Sequence, residues 1–415
     1  MLHTLVQKPI LAAIMLLGSL IWATSGAATA AEKNPQVTKE TDSRLIRSFG
    51  AGSSCAAFSP DGNVILTVEQ EGMMPRTAML WNATTGEQIR ALNTGLSNAR
   101  VECAIFSPDG TKVFGSVVTP LELHKREHYY MGWDANTGGL IYSALYDEND
   151  FVQDIAISPD GAQLLVALIR GDGQYKNFCE LRSTTDGGFI KSITIPSSEA
   201  STSWVSFSPD NRHVLASWHN IVFEFDVITG GITHRLECPD GYVYAALYSP
   251  DGSQILIGNQ SASMTLWDAN TGLLIRDFGN DSTLVDIFNP GTPIAAFSPS
   301  GNIVVEVASP NGWFESFESI IIWDVPTGKR LTTLLPPKPH SVSFSPDGTK
   351  ILVGGGEATY LYDVTELGSG GCAGCANAKS VLTFGSMKSR MGDLFLAGLG
   401  LMLLLALSSR VPRKS

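Results

Sequence analysis

Three short strings in this sequence carry residue types that do chemistry. His124-x-x-Glu127-His128 has the order of a zinc hydrolase string, in which two imidazoles on one helical face hold the metal and the carboxylate activates water. Here it follows Pro120 in a short interstrand stretch with no third ligand, so it reads as a charged, solvated loop. Asp147-Glu148-Asn149-Asp150, with Asp154 nearby, is dense in the oxygen ligands calcium takes, but it lacks the glycine-bearing spacing of an ordered calcium loop and reads as a solvated acidic loop. Cys372-x-x-Cys375 is a pair that can oxidise, be processed or carry a lipid. No Ser-His-Asp order, phosphate-cradling glycine loop or paired acid/base motif is identifiable. The expectation is a protein without catalytic residues, cofactor or metal.

The elements around these strings are set by an internal repeat. A pentapeptide recurs at Phe58 (FSPDG), Phe106 (FSPDG), Ile157 (ISPDG), Phe207 (FSPDN), Tyr248 (YSPDG), Phe297 (FSPSG) and Phe344 (FSPDG), its prolines 48, 51, 50, 41, 49 and 47 residues apart. Proline presets the first central position of a type I turn, aspartate tolerates the second, and glycine accepts the left-handed conformation that follows. Apolar runs flank each copy, such as Cys103-Ala104-Ile105 before and Val113-Phe114 after, as a tight hairpin requires. Spacing near 48 residues fits a four-stranded unit with its loops, so the body of the chain is a ring of similar units rather than several unrelated domains.

A second signature follows each pentapeptide: Trp81-Asn82-Ala83-Thr84-Thr85-Gly86, Trp133-Asp134-Ala135-Asn136-Thr137-Gly138, Trp267-Asp268-Ala269-Asn270-Thr271-Gly272 and Trp323-Asp324-Val325-Pro326-Thr327-Gly328. Weaker copies are Phe225-Asp226, Tyr362-Asp363 and, most eroded, Leu181-Arg182. The aromatic closes a third strand and the polar residues turn into a fourth. With these paired motifs, residues 44 to about 366 resemble the WD-repeat family of β-propellers. The resemblance implies an all-β fold, a seven-bladed propeller of four-stranded antiparallel blades, to which the sequence adds a C-terminal hydrophobic helix. The seventh unit lacks a fourth strand, whereas Arg44-Leu45-Ile46-Arg47-Ser48-Phe49 matches the fourth strand Leu273-Leu274-Ile275-Arg276-Asp277-Phe278, so the N-terminal strand is expected to complete the last blade. The Gly-His pair that feeds the family's hydrogen-bond tetrad is missing from every unit, and His340 stands too close to Phe344 to serve.

Both ends of the chain read as addresses. Residues 1–30 have Lys8, the apolar stretch Ile10 to Ala23 and a small-x-small site at Ala28-Thr29-Ala30, the pattern of a secretory signal peptide; a retained signal anchor is the alternative. Residues 31–43 form a linker, 44–367 the propeller, 368–390 a Gly/Ser/Cys spacer, and 391–415 a transmembrane or sorting-signal helix. The run Leu394 to Leu407 has no polar face, and Arg410, Arg413 and Lys414 hold its far flank in the cytoplasm. Spacer, apolar helix and basic end together resemble bacterial C-terminal sorting signals, with a plain single-pass anchor as the alternative of equal topology. The expectation is export, with the propeller outside the cytoplasm, in the periplasm or on the cell surface.

Residues 31–375 hold 21 basic against 39 acidic residues, a balance of −18, which repels phosphate backbones and argues against general nucleic-acid binding. The pentapeptide and Trp-Asp turns share one face of the disc. The irregular loops share the other, where partner contacts concentrate on a rigid scaffold. Two insertions there carry aromatics beside carboxylates: Thr119 to Tyr130, with Tyr129 and Tyr130, and Pro310 to Glu318, with Trp313, Phe314 and Phe317, which either anchor a protein partner or fold back as a lid. Cys55 and Cys103, each three residues before its pentapeptide, read as buried thiols rather than a bridge. The leading reading is a non-enzymatic scaffold that binds another protein. The competing class is a propeller enzyme using the central channel, lactonase-like or quinone-dependent. Against the quinone form stand the seven units and Phe278, where that repeat ends in tryptophan.

Overall fold

The computed structural model describes residues 43–69, 77–120, 126–146, 150–171, 175–196, 202–238, 242–259, 264–278, 295–308 and 319–367. The described residues form seven antiparallel sheets of four strands each. In the first blade the strands are Ser53–Phe58, Val64–Glu69, Ala78–Asn82 and Gln88–Leu92, paired in that order. First strands of neighbouring blades lie against one another, which puts them at the axis, and fourth strands form the rim. Burial follows: in Val64–Glu69 the four central residues are all buried because both faces of the sheet meet a neighbouring blade, while in Gln88–Leu92 only Leu92 is buried. The core is therefore a series of interblade layers. One joins blades one and two through Leu66, Leu80, Val113 and Trp133, and another joins blades seven and one through Phe49, Ile65, Trp81 and Leu361.

The pentapeptide makes the expected hairpin, and its serine has a role that turn propensity alone does not suggest. In the first copy Ser59 Oγ donates to Asp61 Oδ1 at 2.6 Å and accepts the Val64 N–H at 2.9 Å, while Asp61 Oδ1 accepts the Asn63 N–H. Serine thus ties the entry of the turn to both its centre and its exit. In the sixth copy Ser300 stands in for aspartate and the contact to Ser298 lengthens to 3.1 Å. Gly110, at φ +71°, rests against the proline of the preceding copy, Pro60, with 3.4 Å between its absent Cβ and Cδ. Successive turns are stacked around the ring in this way. Asn211, at φ 61°, occupies the same place in the fourth copy, and its Oδ1 accepts the Asp160 N–H of the preceding blade.

The ring closes as expected. Leu45–Phe49 is the fourth strand of the last blade, pairing Leu45 with Tyr362 and Phe49 with Thr359. One expectation is corrected. The insertion Thr119 to Tyr130 is mostly strand, because Lys112–Pro120 and Arg126–Asp134 are nine residues each and stay paired as far as Pro120 with Arg126. Proline is tolerated there because it ends the ladder. The C-terminal apolar run lies outside the described residues. Among the described residues no helix is long and apolar enough to cross a membrane.

Candidate interaction surface

Each signature tryptophan closes a third strand and packs toward the preceding blade, as Trp323 does against Phe278 with ring centroids 5.7 Å apart. Burial obliges the indole N–H to find an acceptor. Without a Gly-His pair, three of the four find it in their own blade and one in the preceding blade: Trp81 Nε1 donates to Thr67 Oγ1 at 2.8 Å, Trp267 to Thr265 Oγ1 at 2.9 Å and Trp323 to Glu306 Oε1 at 2.9 Å, whereas Trp133 donates to the Asn93 carbonyl of blade one at 2.8 Å.

In two of the three blades that lack the tryptophan, a carboxylate stands just before its position and is paired locally, whereas blade seven carries Leu361 there. In blade four Glu224 precedes Phe225; its Oε2 meets Thr233 Oγ1 at 2.5 Å and His234 Nδ1 at 2.6 Å, and its Oε1 accepts the Tyr248 hydroxyl at 2.6 Å. Burial opposes ionisation, yet the hydrogen bonds from Thr233, Tyr248 and His234 outweigh it and hold the carboxyl below its usual range. In blade three Glu180 precedes Leu181 and takes Arg182 Nε at 2.7 Å, while that guanidinium lies 5.1 Å from the Tyr130 ring and 5.0 Å from the Tyr146 ring. These two signatures are thus rebuilt with charge.

The two faces of the disc differ in chemistry. On the turn face the serine donors hold the pentapeptide carboxyls of Asp61, Asp109, Asp160, Asp251 and Asp347 below their ordinary range, Asp347 at about 2, so this face stays anionic. Cations four residues after a turn glycine tie neighbouring blades there. Arg276 donates to the Thr327 and Pro326 carbonyls, each at 3.0 Å, and Lys191 to the Ile228 carbonyl at 2.6 Å. This repeated position was legible in the sequence as Arg90, Lys191, His234 and Arg276, but only the fold shows that it reaches the next blade. A cleft of about 660 Å³ opens on this face between blades seven and one, lined by Arg47, Asp61, Asp347 and Lys350 among others, with its charges mixed.

The loop face redistributes the residues singled out from the sequence. Tyr130 is fully buried and its hydroxyl donates to the Gly187 carbonyl, so it is a seam residue between blades two and three and not an exposed anchor. Tyr129 is half-buried, and its hydroxyl donates to Glu127 Oε2 at 2.6 Å; burial, and then the carboxylate beside it, push the phenol up to about 12. His128 is buried edge-on to Phe151 at 5.3 Å. It lies on a strand, so the helical spacing a zinc string needs is lost, and among the described residues no group of His, Cys, Asp and Glu is placed to hold a metal. Two of the acidic residues read as solvated are buried instead. Asp150 takes Arg170 Nε and Nη2, both at 2.7 Å, and Asp154 accepts two backbone N–H groups. Cys55 and Cys103 are free, buried thiols, and burial pushes Cys55 up to about 11. His124, Asp147, Glu148, Asn149, Trp313, Phe314, Phe317, Cys372 and Cys375 lie outside the described residues.

The same face presents a row of rings that the sequence reading passed over. In blade four Trp218 pairs with Ile221, leaving His219 and Asn220 as a two-residue turn with His219 at φ 50°. The His219 ring stacks on Trp218 at 4.7 Å and 18° and meets Tyr242 edge-on at 5.1 Å and 72°. His219 O accepts the Val243 N–H at 2.7 Å, which fixes the hairpin to the start of blade five, and Asn220 Nδ2 donates to the Cys238 carbonyl at 3.0 Å, which ties it to the end of its own outer strand. Trp218 and His219 are half-buried and Tyr242 is 46% exposed. The available signal was an aromatic pair beside asparagine between two β-rich runs, where histidine and asparagine tolerate left-handed turns.

The described residues define a seven-bladed propeller of four-stranded blades, and part of the chain is similar to WD-repeat proteins. Over 86 residues, 20% of this chain, the sequence is 34% identical to WD repeat-containing protein 1 of Gallus gallus and 33% identical to the proteins of that name from Bos taurus and Mus musculus. The matched stretch spans 14% of those relatives. No family model matches the chain.

Proposed function

We propose that the chain is a non-enzymatic scaffold, exported and held at a bacterial membrane by its C-terminal segment, that binds another protein through the loop face of its propeller. The observation that carries the reading is the contrast between the faces. One consists of near-identical turns whose side chains are consumed in holding the ring, and the other presents the non-uniform Trp218–His219–Tyr242 row on a rigid scaffold. The signal-like first 30 residues and the apolar run Leu394 to Leu407 before Arg410, Arg413 and Lys414 support export and anchoring, whether the tail stays as a single-pass anchor or is processed as a sorting signal. The test is affinity capture from a detergent extract of the envelope with the tagged full chain, followed by mass spectrometry. Reproducible protein binders that the denatured chain does not retain are expected; their absence across extracts would remove the scaffold reading. Protease accessibility of the propeller in intact cells tests the topology.

A further inference from the structure

We propose that the Trp218–His219–Tyr242 row is a docking platform for a cationic segment of a protein partner, one that lays an arginine or lysine side chain over the rings. The proposal rests on the scaffold reading and names the chemistry of its partner. Three observations carry it. The rings form a continuous, pre-organised row: His219 sits between the other two, in a backbone conformation that few non-glycine residues adopt, and the hairpin is pinned through its own carbonyl and through Asn220. Strain of this kind persists where surrounding contacts over-determine it. The row ends in Tyr242, the most exposed of the three, on the face left free by the turns.

Charge selects the occupant. Ring faces are electron-rich and attract cations, more strongly so when anions stand nearby. The outer strand of blade four ends on this face in Glu237. Glu237 pairs in register with Ile221 at the foot of the hairpin, and its side chain is 56% exposed even while it is ion-paired with Arg235. The balance of −18 over residues 31–375 draws a basic partner from a distance. The propeller already uses the same contact internally, with Arg182 of blade three over Tyr146 of blade two at 5.0 Å and Arg170 over Phe178 within blade three at 4.8 Å. An acidic or purely apolar partner would forgo both terms.

The experiment uses the detergent-solubilised full chain and fluorescein-labelled Gly/Ser peptides of equal length carrying spaced arginine, lysine, glutamate or leucine, read by polarisation. The arginine and lysine peptides are expected to bind. Tyr242→Ala and Tyr242→Leu should weaken that binding about five- to thirtyfold, and Tyr242→Phe should restore it, because the ring and not the hydroxyl makes the contact. Asp347→Asn, on the opposite face, should leave it unchanged. The proposal is overturned if Tyr242→Ala binds like the wild type, if the leucine peptide binds best, or if Asp347→Asn and not Tyr242→Ala abolishes binding. Envelope capture separates the two readings: partners retained equally by wild type and Tyr242→Ala would sink the platform and leave the scaffold, whereas ring-dependent peptide binding without any captured protein would do the reverse.

Discussion

The Asp154 carboxylate and the Val205 amide couple blade three to blade four. Asp154 Oδ2 accepts the Val205 N–H at 2.9 Å, and Oδ1 accepts the Ile155 N–H at 2.8 Å. The nearby groups that feel its charge are the buried thiols of Cys55, Cys103 and Cys179. Burial pushes Asp154 up to about 7 despite the two amide donors. The folded state therefore holds a proton the unfolded chain has already lost, and stability falls as pH rises from about 4 to about 7, by up to about 4 kcal/mol. Asp154→Asn removes that slope while leaving one amide without its acceptor. Melting temperatures at pH 5 and pH 8 check this; equal pH dependence in wild type and variant would refute the assignment.

The turn serine predicts a loss and a gain. Ser59→Ala deletes both the donor to Asp61 and the acceptor of the Val64 amide and should cost about 1 to 2 kcal/mol. Ser300→Asp rebuilds in the sixth turn the charge-assisted contact present in the others and should stabilise by roughly 0.5 to 1 kcal/mol. Denaturant midpoints of the two variants should move in opposite directions.

Ring closure predicts that the N-terminal strand is a structural part of the last blade. Phe49 is 2% exposed and edge-on to Trp81 at 6.4 Å, so Phe49→Ala should cost about 3 to 5 kcal/mol. Removal of residues 31–50 should lower the melting temperature further still, and an unchanged value would mean that the strand is dispensable.

The Glu224 network predicts non-additivity. Tyr248→Phe strips an acceptor of its donor inside the seam between blades four and five and should cost about 1 to 3 kcal/mol. Replacing the carboxylate as well, with the leucine that blades one and five carry at Leu80 and Leu266, removes the group that needed the donor and should recover much of that loss. A double variant as unstable as the sum of its parts would show that the network does not act as a unit.

Blade number, hairpin positions and closure were legible because one turn chemistry recurs, and a turn is a local event that five residues can specify. Side-chain placement was legible only where it too is local. Tyr130 looked like a loop aromatic because Pro120 resembled a breaker, yet the ladder to Arg126 carries it into the seam. Asp150 and Asp154 looked solvated because carboxylates usually are. What buries them is Arg170, twenty residues along the chain, and Val205 in the next blade. The serine of the pentapeptide was in plain view, but its double bonding depends on a geometry that turn propensity does not describe.

Because the rim strand at Leu45–Phe49 belongs to the last blade, the first strand of the propeller to be made is the last to find its place. Ser53 and Thr359, whose hydroxyls meet at 2.6 Å across the final seam, are 306 residues apart. At a synthesis rate of about 5 to 20 residues per second, the nascent disc stands open for roughly 15 to 60 seconds. Through that interval its first and latest sheets are unzipped templates on which a neighbouring nascent chain can pair, so fidelity of assembly rests on what shields the leading edge until the circle is joined.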